Sequence, residues 1–427
     1  MNALLLALAV AAAPDSWTVS PALPPLTLEQ ALEMARQNPQ LAQAQASVMQ
    51  TRGQVGIARS GFLPSGSASL QAGWKSLNTG GGAPSTYLWD TYGANLTLNQ
   101  TLWDFGRTLG AYQAARDLER AARSGMDTTW NSVELTVRTT YYTVLATEAL
   151  VAVADQTVAS NQRQLDLARG QFEVGQRPRF DVTTADVNLQ QSLISQITAR
   201  DGVVLTRIAL SQAVGKEVAN RPLVMPNVPQ EIDLDVPHLM AEALAARPDL
   251  KTVDFQISAA EESLSAAQSA WFPIVGVSAS YTWGYFAGPS AQSGLPQAGA
   301  NAWNVLGTIT WPFLNGGADM GRVDLQSGTL ASARASRDLL LLQVRTDVEQ
   351  AVTGVNEARA RRGVARTLVA QAKENLELAE GRYQAGIGTI IDVTVSQTSY
   401  TNAQAQEVKA MFDLATAWAQ LQHAIGR

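Results

Sequence analysis

Residue types that usually carry chemistry are sparse in this chain. Its 427 residues include two histidines, His238 and His423, and no cysteine. Disulfides, thiolate metal sites, cysteine nucleophiles and a lipid anchor on an N-terminal cysteine are therefore excluded. The histidines lie far apart, near helix ends, and offer no pair at metal-ligand spacing. No serine or cysteine can be matched to a base and an orienting carboxylate. The clusters Gly80-Gly81-Gly82 and Gly316-Gly317 lack a phosphate-loop lysine, and Val214-Gly215-Lys216 lacks the upstream glycine. The first cluster fits a surface loop and the second a strand-to-helix bend. Glu261-Glu262 falls within a helical segment and faces solvent. The sequence predicts no catalytic activity, no cofactor and no metal. The net charge of −6 argues against a nucleic-acid partner.

Polar side chains with a recognisable arrangement gather instead in two short turns. One carries Gly175, Arg177, Arg179 and Asp181; the other carries Tyr383, Gly386 and Asp392. These turns occupy the same place in a duplicated sequence. Asn38-Pro39-Gln40-Leu41 matches Arg247-Pro248-Asp249-Leu250, and Phe62-Leu63-Pro64 matches Trp271-Phe272-Pro273. Leu102-Trp103-Asp104-Phe105-Gly106 matches Phe313-Leu314-Asn315-Gly316-Gly317. Further on, Phe172-Glu173-Val174-Gly175 matches Tyr383-Gln384-Ala385-Gly386, Asp181 matches Asp392, and Gly215 matches Gly426. The offset is 209 before the middle of the unit and 211 after it, so one small insertion separates two copies. The reading is a first repeat over 26–216, an inter-repeat linker over 217–236 and a second repeat over 237–427.

Each copy predicts the same elements in the same order. A helix comes first, interrupted near its start by Pro39 or Pro248 and ended by Pro64 or Pro273. Two strands around a Gly/Pro/Ser loop follow. The stretches 107–174 and 318–385 contain no proline and are rich in helix formers, so each predicts one unbroken helix. At about 1.5 Å per residue such a helix spans roughly 100 Å. That exceeds any single compact globule, so it must lie beside other helices, as in a coiled coil or a tube. A glycine-containing turn then leads to a last helix at about 181–214 or 392–425. The two shorter helices of a copy nearly equal the long one in length and could stack end to end beside it.

The strand segments alternate. Val275, Val277, Ala279, Tyr281, Trp283 and Tyr285 fall on one face, and Gly276, Ser278, Ser280, Thr282 and Gly284 on the other. About eleven residues of period two suffice for a tilted strand across a bilayer. Strands are expected at about 66–75, 92–102, 275–286 and 302–313, the last carrying Trp303, Val305, Gly307, Ile309, Trp311 and Phe313 on one face. Trp74, Trp89, Trp103, Trp283, Trp303 and Trp311 lie in or beside these segments, as an interfacial aromatic girdle requires. The alternative is a soluble hairpin with one face on a core. Four membrane strands cannot close a barrel and leave edges that a bilayer does not tolerate. A barrel would have to be shared: two copies give eight strands and three give twelve.

The N-terminus reads Met1-Asn2-Ala3 and then a run of Leu, Ala and Val to Pro14. Residues 1–13 resemble the apolar core and cleavage site of a secretory signal, without the usual preceding basic residue; residues 14–25 form a linker. No segment has eighteen consecutive apolar residues, so no transmembrane helix is expected.

With the duplicated order of elements and the signatures Asn38-Pro39, Phe62-Leu63-Pro64, Trp103-Asp104-Phe105-Gly106-Arg107, Phe172-Glu173-Val174-Gly175 and Tyr383-Gln384-Ala385-Gly386, the chain resembles the outer-membrane efflux protein family, the TolC-like channels. The resemblance runs from about Leu26 to Gly426. It implies a mainly α fold with membrane β-strands. It also implies a homotrimer in outer-membrane lipid, with one shared twelve-stranded barrel and a long periplasmic α-helical barrel. The implied partners are a periplasmic adaptor and an inner-membrane transporter, and the implied role is a passive export duct. A periplasmic structural or adaptor-like coiled-coil protein is the alternative, although an adaptor would carry one helical hairpin and β-rich domains.

The resemblance also places a gate and adaptor-docking region at the two turns, with Asp181, Asp392 and Tyr383 at matching positions beside Gly175 and Gly386. Two positions depart from the type member. Gly388 stands where a gate arginine is expected, and Val395 where a second aspartate is expected. A tightly latched closed state and strong cation selectivity are therefore not carried over. Arg177 and Arg179 either supply that charge from the other turn or are solvated loop arginines.

Overall fold

A computed structural model describes residues 24–78, 86–218, 221–226, 234–287 and 297–427. The signal-like segment 1–13, the Gly80–Gly82 cluster and parts of both linkers lie outside the described residues, as does the side chain of Trp89. The first repeat contains α1 (Leu28–Ala35), α2 (Pro39–Ser60), β1 (Ser65–Asn78), β2 (Thr86–Trp103), α3 (Arg107–Glu173) and α4 (Arg179–Val214). The second contains α5 (Val236–Ala246), α6 (Pro248–Gln268), β3 (Ile274–Ala287), β4 (Gln297–Thr310), α7 (Ala318–Gln384) and α8 (Ile390–Ala424), with a short 3-10 turn at Ser269–Trp271. The duplicated helix–strand–strand–helix order expected from the sequence is present. Helices α3 and α7 each run unbroken for 67 residues. None of the described helices is long and apolar enough to cross a membrane.

The chain divides into two compact units. The first draws on the described residues of Met1–Asn38, Val133–Ile232 and Asn356–Ala419. Its core repeats the duplication. Leu165 and Ala168 on α3 pack with Ala185 and Leu189 on α4. Leu376, Ala379 and Tyr383 on α7 pack with Ile390 and Val393 on α8. Each set places small and large residues three or four positions apart, so one helical stripe meets the returning helix. Farther along, Leu26 pairs with Leu223 in a short parallel bridge. The buried Tyr141 hydroxyl donates to Leu26 O (2.8 Å) or Val224 O (2.7 Å) and accepts from Val224 N–H (3.0 Å).

The second unit comprises Pro39–Ser132, Asp233–Val355 and Gln420–Arg427. It holds a four-stranded antiparallel sheet in the order β1-β2-β3-β4. The register aligns Ala68, Leu96, Tyr281 and Trp303 in one row, and Ser67, Thr97, Ser280 and Asn304 in the next. Apolar and polar side chains thus separate onto opposite faces. On the polar face Ser280 Oγ donates to Asn304 Oδ1 (2.7 Å), and Thr282 Oγ1 donates to Asn95 Oδ1 (3.1 Å). On the other face Leu70 is 87% exposed and Trp303 78% exposed.

Strand boundaries differ from expectation. The alternation predicts β4 over about 302–313, but the strand runs from Gln297 to Thr310. Pro312 has no N–H for the ladder, and Phe313 N–H donates to Trp311 O (2.9 Å), closing a three-residue turn. Strand β2 is longer than the pattern around 92–102 marks, starting at Thr86.

Candidate functional site at the helical turns

Both long helices end in the same way. Gly175 and Gly386 take positive φ of 73° and 82°. Gly175 N–H donates to Phe172 O (2.9 Å) and Gln176 N–H to Gln171 O (2.9 Å). The counterparts are Gly386 to Tyr383 O (3.1 Å) and Ile387 to Arg382 O (3.0 Å). This pairing is the Schellman closure that a left-handed glycine permits.

The next helices begin differently. Helix α8 opens on Thr389, whose hydroxyl accepts from Asp392 N–H (3.2 Å). Asp392 Oδ2 in turn accepts from Thr389 N–H (3.1 Å) and its hydroxyl (2.9 Å). This reciprocal cap occupies Asp392 locally, and these bonds hold its carboxyl below the usual aspartate range. Helix α4 opens on Pro178, which makes no side-chain cap. Asp181, at the position matching Asp392, is left for another partner. Its Oδ2 accepts from the Tyr383 hydroxyl (3.1 Å), and both side chains are buried. Burial raises the Tyr383 phenol to about 12, helped by the Asp181 bond and charge and opposed by Arg177.

Arg177 lies across the end of α7. Its Nη2 donates to Tyr383 O (3.0 Å) and Gly388 O (3.0 Å), and its guanidinium stands 4.6 Å from the Tyr383 ring centre. Arg179 is exposed on the first turn of α4. The structure therefore brings Asp181, Tyr383 and Arg177 together and leaves Asp392 and Arg179 outside the group. The role of Gly388 was not legible in the sequence. A Cβ there would lie 2.9 Å from Tyr383 N and 3.0 Å from Arg382 C, so the backbone at 388 is pressed against the end of α7. The Thr389-x-x-Asp392 spacing was a readable sign that Asp392 would be a cap. Val395 is exposed. Around these turns Phe172, Val174, Phe180, Ile387 and Ile391 are also exposed.

At the sheet, Trp103 and Trp311 lie at the strand ends nearest the helices. Trp311 Nε1–H donates to Trp271 O (3.0 Å). Trp303 sits in mid-ladder opposite Tyr281, and Trp283 pairs with Ala94 and Asn301. Trp74 is opposite Asp90, and Trp89 opposite Lys75. Among the described residues no three His, Cys, Asp or Glu side chains are grouped to hold a metal ion.

Comparison with known proteins agrees with this architecture. The sequence matches the family described as outer membrane efflux protein over residues 29–216 and again over 239–427, once for each repeat. The outer membrane efflux protein BepC of Brucella suis biovar 1 (strain 1330) is 24% identical over 402 residues, covering 94% of this chain and 85% of that protein. The outer membrane protein VceC of Vibrio cholerae superposes with a TM-score of 0.80 at 20% identity, covering 93% of this chain and 96% of that one. A membrane protein from Pseudomonas aeruginosa gives a TM-score of 0.82 at 20% identity, covering 99% and 96%. The fold is thus TolC-like, and the soluble adaptor-like alternative falls away because both repeats are matched. The chain belongs to the outer membrane efflux protein family.

Proposed function

We propose that three copies of this chain form one export duct through the outer membrane, with a helical tunnel on the periplasmic side. The observation that carries this reading is the sheet. Strands β1 and β4 each have a single neighbour, so one chain leaves two open edges and one exposed apolar face. In a bilayer those edges must be paired, and pairing β4 of one copy with β1 of the next removes them. Helix α4 supports the same reading. Val187, Ile194, Ile197, Val204 and Ile208 are exposed at successive intervals of seven, three, seven and four residues, a seam suited to a helix of another copy.

The duct is passive and performs no catalysis. Its partners are a periplasmic adaptor and an inner-membrane transporter, and the exposed apolar residues of the two turns, with Ile387 73% exposed, suit adaptor docking. The chain has no native cysteine, so disulfide mapping is unambiguous. Single cysteines placed in β1 and β4 should cross-link neighbouring copies into a closed trimer in the outer-membrane fraction. A soluble periplasmic monomer would sink the reading.

A further inference from the structure

The corner where α2 leads into β1 and β2 leads into α3 carries two guanidiniums that the fold does not use. Phe62 N–H donates to Arg59 O (3.0 Å), so one tight turn separates Arg59 from the sheet. A Cβ built on Gly61 would lie 2.8 Å from Thr108 Cγ2, so the end of α2 is pressed on the first turn of α3. Phe62 meets Tyr112 edge-on at 5.7 Å, and Gln100 Nε2 donates to Phe62 O (3.2 Å). Arg59, in the last turn of α2, and Arg107, the first residue of α3, share this corner. Arg59 is exposed and Arg107 half-buried.

Among the described residues neither of these arginines pairs with a carboxylate. Nearby arginines are engaged. Arg116 lies over the Tyr112 ring, Arg52 pairs with Glu119 (3.6 Å), Arg120 with Asp117 (2.8 Å) and Arg322 with Asp319 (3.0 Å). Asp104, the carboxylate nearest in sequence, accepts from Gly106 N–H (3.3 Å) and Thr108 N–H (2.8 Å). Arg107 also stands at the positive end of the α3 dipole, where a cation is disfavoured, so helix stability does not account for it. The matching positions of the second repeat, Gln268 and Ala318, are neutral.

Phe62, Leu63, Leu102 and Trp103 are exposed beside the two arginines and continue the exposed apolar face of the sheet. Where that face meets lipid, this corner lies at the headgroups of the periplasmic leaflet. Guanidinium forks match phosphate oxygens, and long arginine stems reach from an apolar surface to a headgroup. Two unneutralised positive charges repel a headgroup that carries its own amine and favour one that is only anionic.

We propose that Arg59 and Arg107 hold the headgroup phosphate of an anionic phospholipid in the periplasmic leaflet, with its acyl chains against Phe62, Leu63 and Trp103. The inference rests on the export-duct reading above. Each chain offers one such corner, because the second repeat lacks the charges.

The test uses the detergent-purified oligomer, stripped of lipid and titrated with phosphatidylglycerol or phosphatidylethanolamine. Native mass spectrometry reads bound lipid, and thermal dissociation reads the stabilisation. Wild type should bind phosphatidylglycerol more tightly than phosphatidylethanolamine and dissociate at higher temperature with it. Arg59→Gln and Arg107→Gln should each weaken phosphatidylglycerol binding about fivefold, and the pair more than tenfold. Arg123→Gln, which removes the same charge farther along α3, should bind as wild type. If the double variant does not assemble, the two single changes give the same comparison. Equal binding of the two lipids by wild type, or unchanged phosphatidylglycerol binding in the arginine variants, would overturn the proposal. Variants that dissociate earlier without lipid yet keep the full lipid effect would show that the arginines pair with a neighbouring copy, which also overturns it. Recovery of wild type as a soluble monomer would refute the export-duct reading, whereas an outer-membrane oligomer whose lipid binding ignores the arginines refutes the site alone.

Discussion

Phe105 and Gly316 hold the same backbone position in the two repeats, with φ of 56° and 66°. Each stands between a strand and a long helix, and each is followed by a glycine of positive φ, Gly106 or Gly317. For a residue with a Cβ this left-handed conformation costs about 1–2 kcal/mol. Phe105 offsets that cost by stacking on Phe272, with ring centres 5.0 Å apart, and by meeting Trp103 edge-on at 6.1 Å. Such ring pairs contribute about 0.5–1.5 kcal/mol each.

Because the strain and the stacking are similar in size, Phe105→Gly should change stability by less than about 1 kcal/mol. Phe105→Ala loses the ring and keeps the strain, so it should be less stable than the glycine variant by about 1 kcal/mol. Gly316 has open space around a built Cβ, so Gly316→Ala should lose about the same amount from the backbone alone. Thermal dissociation of the purified oligomer ranks the three, and equal stability of the Ala and Gly variants at 105 would refute the strain.

The helix starts at Asn38-Pro39 and Arg247-Pro248 predict unequal acid sensitivity. Asn38 Nδ2 donates to Ala213 O (2.8 Å), whereas Arg247 Nη1 donates to Ala424 O (3.1 Å) and its guanidinium also bonds Asp249 and Asp347. Burial works to raise the Asp249 carboxyl, but the Arg247 bonds and charge hold it below the usual range. A lowered folded value stabilises the protein above the ordinary aspartate range, about pH 4, and that contribution is lost as pH falls through the folded value. Amide exchange near 421–427 should therefore accelerate in acid before exchange near 210–216. Arg247→Ala should cost about 2–4 kcal/mol, because it leaves two carboxylates and a carbonyl without the guanidinium. Asn38→Ala should cost about 1 kcal/mol.

The Tyr383 phenol makes the turn contact sensitive to high pH. Its folded value of about 12 lies above the ordinary 10. The neutral, hydrogen-bonded form therefore adds stability below pH 10, and this is lost as pH rises through about 12. Phenolate absorbance of wild type minus Tyr383→Phe should show one tyrosine titrating near the upper value. A difference titration centred at the ordinary value would show that the phenol is not held by Asp181.

Tyr141 joins segments distant in sequence. Its one hydroxyl proton serves either Leu26 O or Val224 O while the oxygen accepts from Val224 N–H. Tyr141→Phe leaves those groups short of a partner and should cost about 1–3 kcal/mol. The loss should appear as faster exchange at Leu26 and Val224, with exchange at the 172–181 turn unchanged.

Much of the fold follows from short-range rules that a sequence displays directly. Proline positions end α2 and define the starts of α2 and α6, period-two alternation marks β3, and long stretches of helix formers without proline yield α3 and α7. The duplication carries these rules through both halves, so one repeat checks the other. Strand β4 ends at Thr310 although the alternation continues through Trp311 and Phe313, because Pro312 withdraws the N–H that pairing needs.

The turns mark where local pattern stops being sufficient. Asp181 and Asp392 are equivalent by sequence, as are Arg177 and Gly388. Their roles separate because Thr389 satisfies Asp392 within one helical turn, whereas Pro178 leaves Asp181 open to a tyrosine 202 residues away. Sequence alone determined that both turns exist and what residues they carry. Only the packing of α3, α4, α7 and α8 decided which arginine meets which carbonyl, since hydrogen bonds form between groups within about 3 Å wherever they lie along the chain.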